Sequence, residues 1–194
     1  MSKHQHPTSY YIINGITLYR IVTAPLLVWL LFSKEYTWFK WLLGASFFTD
    51  LIDGFLARRF KITSILGTRL DSIGDDLTVL VALMGLFVMQ PDFFQEQKAI
   101  LIPLLLLFVI QTGAAFYRYG RITSFHTWMA KTAALAQGIF LLCFFFFGEI
   151  YYPLFYAAAF ITIIELAEEI VLVGLLPTWE ANVKGLWWVW KRKR

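Results

Sequence analysis

Four aspartates border long apolar runs in the stretch 50–75, DLIDGFLARRFKITSILGTRLDSIGD. A carboxylate at the bilayer centre costs roughly 2.5–3.5 kcal/mol on insertion scales, so residues of this kind mark a functional site by default. Asp50 and Asp53 are three residues apart, and Gly54, Ala57 and Arg58 follow at helical offsets, which puts all five on one stripe. Gly67, Asp71 and Asp75 recur every fourth residue and give a second helix a matching stripe. Two such faces can meet. Four converging carboxylates repel one another unless cations neutralise them, and hard oxygen donors with no cysteine or histidine nearby favour Mg²⁺ or Mn²⁺ over zinc. The structural alternative is pairing with Arg58, Arg59 and Arg69 that only holds two helices together.

The surrounding chain is a membrane sequence. Of its 194 residues, 59% are hydrophobic and 19% aromatic, with a mean hydropathy of +0.63. This predicts an all-α integral membrane protein, one domain over 1–194, with six transmembrane helices in one bundle and short interfacial segments at the termini. The spans are expected at about 14–32, 38–60, 70–89, 99–116, 128–147 and 152–176. SKEYT and the polar segment QPDFFQEQK serve as loops. The short connection KITSILGTR lets the second and third spans pack side by side, with all four aspartates near one membrane surface. Asp76 falls off the Asp71–Asp75 stripe and is expected as a supporting salt-bridge partner.

Lysine and arginine concentrate in the second-to-third and fourth-to-fifth connections and at both termini, which places those parts and the aspartates on the cytoplasmic side. A cell inner membrane or its equivalent is the expected location. The tail TWEANVKGLWWVWKRKR should lie on the membrane surface, indoles at the headgroups and cations toward anionic lipid, a simpler account than nucleic-acid binding. Cys143, the single cysteine, allows no intrachain disulfide. MSKHQHPTSYY lacks an apolar h-region with a cleavage site, so no removable signal peptide is expected, and His4 and His6 are read as solvated.

Written as D-x2-D-G-x2-A-R-x8-G-x3-D-x3-D, the aspartate stretch resembles the motif of the CDP-alcohol phosphatidyltransferases at all eight specified positions. The resemblance implies transfer of a substituted phosphate from a CDP-alcohol, with CDP-diacylglycerol the expected donor, to an acceptor hydroxyl with release of CMP in phospholipid biosynthesis. It implies that Asp50, Asp53, Asp71 and Asp75 hold two Mg²⁺ or Mn²⁺ ions, with Asp75 also the general base. Asp50, Gly54, Ala57, Arg58, Gly67 and Asp71 would line the CDP-alcohol. The glycines suit close backbone approach, Arg58 offers a fork to phosphate, and Ala57 leaves its face open. The opening NGITLYR resembles the Asn-x-x-Thr-x-x-Arg element of the phosphatidylglycerophosphate synthase branch; its Arg20 is either a snorkelling interfacial cation or a functional contact. A homodimer is also implied, and the run Ala157-Ala158-Ala159 permits close helix packing.

The acceptor is less constrained. Arg118, Arg121, Lys131 and Thr132 flank the fourth-to-fifth connection and would bind the phosphate of glycerol 3-phosphate or another phosphorylated alcohol; ordinary positive-inside topology is the alternative. His126 is read as structural. Inositol phosphate, phosphatidylglycerol and serine stay open as acceptors. Glu165, Glu168 and Glu169 in the sixth span are expected to pair with cations of that region. They also motivate a rival from another class, a small ion-coupled transporter, but the chain shows no related halves. An inactive interaction subunit is a third reading, and intact aspartates oppose it.

Overall fold

The computed structural model describes residues 8–60 and 65–193; within them the side chains of 8–14, 16, 17, 50, 51, 53–60, 65, 66, 68, 69 and 193 lie outside the description. Every regular element among the described residues is helical: α1 Thr8–Phe32, α2 Tyr36–Phe60, α3 Ile65–Met89, α4 Pro91–Tyr119, α5 Trp128–Phe147, α6 Tyr152–Leu175 and α7 Leu186–Lys193. The chain divides into two compact units, 1–85 and 86–194.

In the first unit α1 passes to α2 through a turn in which Lys34 takes a left-handed φ of 60°. The Ser33 and Glu35 N–H groups donate to the Trp29 and Leu30 carbonyls at 2.9 Å, which satisfies the last acceptors of α1. Arg20, Thr23, Ala24, Leu27 and Leu31 of α1 and Phe39, Leu43 and Ser46 of α2 are buried at helical spacing. Lipid tails are as apolar as these side chains, so close fit rather than water exclusion must hold such helices together. On α3 Gly74, Thr78, Val81 and Ala82 form the buried stripe. The Thr78 hydroxyl is satisfied by the Gly74 carbonyl at 2.7 Å.

In the second unit, caps fix the helix limits. Thr127 accepts from the Ala130 N–H at 3.0 Å and starts α5, while Gly120 and Gly148, at φ 67° and 77°, end α4 and α5. Phe93, Phe140 and Phe155 stack together, the first and last edge to face at 4.9 Å. Ala115, Phe125, Leu172, Val173, Leu176, Val183 and Val189 form a core where α4, α6, α7 and two irregular segments meet. Those segments are joined by the Asn182 N–H to the Ser124 carbonyl at 3.1 Å and the Trp179 indole to the Ile122 carbonyl at 3.0 Å. Val189 points α7 inward, while Trp187, Trp188 and Trp190 are exposed.

Three boundaries differ from the sequence expectations. QPDFFQEQK is not a loop: α4 already begins at Pro91, because proline suits the first helical position and Asp92 complements the positive helix start. α3 begins at Ile65 rather than near Leu70, so Gly67 and Arg69 belong to the helix, and residues 61–64 of the connection lie outside the described residues. α1 begins at Thr8, upstream of the Asn14 expected to open the first span. Among the described residues, three helical segments are long and apolar enough to cross a membrane: 70–89, 91–119 and 128–147. A shorter apolar segment covers 18–32.

Candidate active site

The motif occupies the C-terminal half of α2 and the N-terminal half of α3. Asp50, Asp53, Gly54, Ala57 and Arg58 all fall on α2, and their side chains lie outside the described residues. Gly67, Asp71 and Asp75 follow one another at single turns of α3.

Arg20 organises the α3 carboxylates. Its Nη2 donates to Asp71 Oδ1 at 2.7 Å, and its Nη1 makes a second ion pair with Asp75 Oδ1. The planar fork thus bridges two carboxylates one helical turn apart, a geometry that a point-charge lysine cannot reproduce. Arg20 is only 1% exposed, whereas Asp71 and Asp75 are 29% and 38% exposed. The arginine thus meets the two part-exposed carboxylates from their buried side. Gly74 lies between the two aspartates in sequence, and a Cβ on it would meet Arg20 Cζ at 3.4 Å. Of the two roles open to Arg20, the snorkelling one is overturned: a side chain this buried does not reach an interface. The available signal was that a cation inside an apolar helix seeks a carboxylate; what the sequence lacked was the identity of the partner.

Asp71 and Asp75 suit a hard divalent cation in donor type, since they offer carboxylate oxygens, and their Oδ1 atoms are engaged by Arg20. Among the described residues no group of three or more histidine, cysteine or acidic side chains is assembled for a metal.

The residues expected around the acceptor lie in the second unit and are engaged locally. Arg118 Nε donates to the Leu176 carbonyl at 3.1 Å, beside the Tyr119 hydroxyl, which donates to the same carbonyl at 3.0 Å. These bonds satisfy the C-terminal end of α6. The Arg121 guanidinium lies 5.2 Å from the Trp179 ring centroid, and Lys131 Nζ stands at the same distance from Trp128. The Thr132 hydroxyl donates to the Trp128 carbonyl at 2.9 Å. Glu168 corrects an expectation: in place of a cation it receives the Leu186 backbone N–H at 3.0 Å, at the start of α7. Glu169 is buried and accepts from Gln111 Nε2 at 2.6 Å and the Thr123 hydroxyl at 2.8 Å.

No solved structure matches the chain. A protein of Pseudomonas fluorescens named CDP-diacylglycerol–glycerol-3-phosphate 3-phosphatidyltransferase is 38% identical over 76 residues, covering 37% of this chain and 38% of its own. A protein of the same name from Yersinia pestis is 40% identical over 73 residues, 36% of this chain and 40% of its own. A Streptomyces coelicolor protein named cardiolipin synthase (CMP-forming) is 36% identical over 79 residues, 38% of this chain and 37% of its own. The match thus spans about two fifths of the length of these curated relatives. The family model described as CDP-alcohol phosphatidyltransferase matches residues 10–171, a range that holds Arg20, both helices of the motif and the carboxylates it gathers, and the chain belongs to that family.

Proposed function

We propose that this chain transfers a phosphatidyl group from CDP-diacylglycerol to glycerol 3-phosphate and releases CMP. The observation that carries the reading is the pair Asp71 and Asp75, in motif register on one face of α3 and joined, among the described residues, by the buried Arg20. Family membership and the two relatives named for this reaction support it.

In this reading Asp75 accepts the proton of the acceptor hydroxyl as that oxygen attacks the β-phosphorus. The bond from that phosphorus to the bridging oxygen breaks, and CMP leaves with the electron pair. Asp50, Asp53, Asp71 and Asp75 would hold two Mg²⁺ or Mn²⁺ ions, which offset the pyrophosphate charge and stabilise the leaving phosphate. Gly54 and Gly67 give the nucleotide room at the backbone, Ala57 keeps that face low, and Arg58 pairs with a phosphate. Arg118, Arg121, Lys131 and Thr132 are assigned to the acceptor's phosphate. Six spans in one membrane domain, with the aspartates and both termini toward the cytoplasm, complete the assignment. A homodimer belongs to the same reading, although Ala158 and Ala159 of the small-residue run are already buried within the chain.

The test is CMP release by the purified protein in lipid, with CDP-diacylglycerol and a panel of acceptors, in Mg²⁺, Mn²⁺ or chelator. Glycerol 3-phosphate should support release in either metal and not in chelator. Phosphatidylglycerol is the second acceptor to include, because one relative is named cardiolipin synthase. Silence with every acceptor would sink the transferase reading. Arg121→Ala and Lys131→Ala should raise the KM for glycerol 3-phosphate with little change in kcat, and an unchanged KM would remove those residues from the acceptor's phosphate.

A further inference from the structure

Arg20 is not among the eight positions of the aspartate motif, yet its side chain makes the described contacts that gather the α3 carboxylates. Three features define its place. It is almost fully buried, so its charge must be balanced from within the protein. One Nη goes to each of Asp71 and Asp75, so the single guanidinium spans the turn that separates them. Its guanidinium packs over Gly74, so closely that a Cβ there would already be in van der Waals contact with its Cζ at 3.4 Å.

We infer that Arg20 is a resident counter-cation of this carboxylate pair: it holds Asp71 and Asp75 together in the metal-free protein and competes with divalent cations for their charge. The inference rests on the transferase reading only in taking the two aspartates as metal ligands. Without a cation, two carboxylates one turn apart repel each other, and the fork of Arg20 replaces that repulsion with two charge-assisted hydrogen bonds. The same fixed positive charge opposes a further cation at those carboxylates. Arg20 therefore sets metal affinity below what the bare aspartates would reach, and it keeps the site formed while no metal is bound. It is a positioning residue, acting on the reaction through the aspartates.

The experiment compares the full chain in lipid nanodiscs with Arg20→Gln and Arg20→Lys at fixed pH. Mn²⁺ binding is followed by electron paramagnetic resonance, and melting is measured in chelator and in Mg²⁺. Arg20→Gln should melt lower than wild type in chelator, gain more from Mg²⁺, and bind Mn²⁺ about tenfold more tightly, the effect of about 1.4 kcal/mol. Arg20→Lys keeps a charge but loses the fork, so its Mn²⁺ affinity should fall between the two. If Arg20→Gln does not fold, Arg20→Lys alone decides. Mn²⁺ binding by the folded variants that is equal to or weaker than wild type overturns the competition. CMP release by the wild-type protein is scored separately: its absence with tighter Mn²⁺ binding in the variants would sink the transferase reading and leave the role of Arg20 standing.

Discussion

Gly74 of α3 and Arg20 of α1 fit each other: a Cβ on the glycine would lie 3.4 Å from the arginine's Cζ and 3.5 Å from its Nε. Alanine makes only ordinary contact at that distance, and it gains about 0.5–1 kcal/mol of helix preference over glycine. Gly74→Ala should therefore melt within about 1 kcal/mol of wild type, whereas Gly74→Leu should lose about 1–3 kcal/mol by overpacking. Gly74→Leu should also release CMP more slowly, because the guanidinium is pushed off its carboxylates. A leucine variant as stable and active as wild type would show that the glycine makes no room that matters.

The aspartates should separate by role. Asp53→Asn removes a charged ligand and is expected to abolish CMP release and weaken Mn²⁺ binding. Asp75→Asn should retain most metal and CDP-alcohol binding while single-turnover CMP release falls about 10²–10⁴-fold, the usual loss when a general base is missing. Asp71 remains to pair with Arg20 in that variant. Loss of metal from Asp75→Asn as complete as from Asp53→Asn would make Asp75 chiefly a ligand.

At the start of α7 the backbone of Gly185 has a φ of 141°, and a Cβ there would lie 2.9 Å from Glu168 Oε1. Gly185→Ala should cost about 1–3 kcal/mol through backbone strain and break the bond from the Leu186 N–H to Glu168. Hydrogen exchange should rise across 186–193 and remain near wild type in α5. Glu168→Gln keeps an acceptor oxygen and should protect α7 nearly as well as glutamate. Equal exchange in wild type and Gly185→Ala would mean that this contact does not secure the helix.

Glu169, Gln111 and Thr123 should behave as a unit. Gln111 Nε2 donates to both partners, at 2.7 Å to Thr123 and 2.6 Å to Glu169. Glu169→Leu leaves donors short of an acceptor and should destabilise by about 1–3 kcal/mol. Gln111→Leu added to it should cost much less than it does alone, because the donor then has no lost partner. Additive losses in this double-mutant cycle would show that the two side chains act independently.

The limits of α5 fall at the expected 128–147 because the apolar run ends where Thr127 caps the start of the helix and Gly148, left-handed, caps its end. The start of α4 was not legible in the sequence. Hydropathy reports which residues tolerate lipid, and PDFFQEQK is polar on its outer face although Pro91 and Asp92 are good helix openers. At the site, motif spacing put Asp71 and Asp75 on one face, and the structure agrees. What neutralises them was not legible, since Arg20 stands 51 and 55 residues away and only tertiary packing brings it to them. Glu168 was misread for a related reason: a backbone N–H is a partner that no residue type announces.

The pairing of Trp179 with the Ile122 carbonyl has a consequence for biosynthesis. A sequence interval of 57 separates donor from acceptor, and Asn182, which donates to Ser124, comes later still. At about 5–20 residues per second of synthesis, the segment between α4 and α5 waits on the order of 3–12 s for these partners. Until then its carbonyls must be served by water or by the translocation machinery. Ribosome-bound chains arrested before Trp179 should be cut by protease at 121–127, and chains extended past Asn182 should be protected there; equal cleavage of the two would show that the segment closes without the tail.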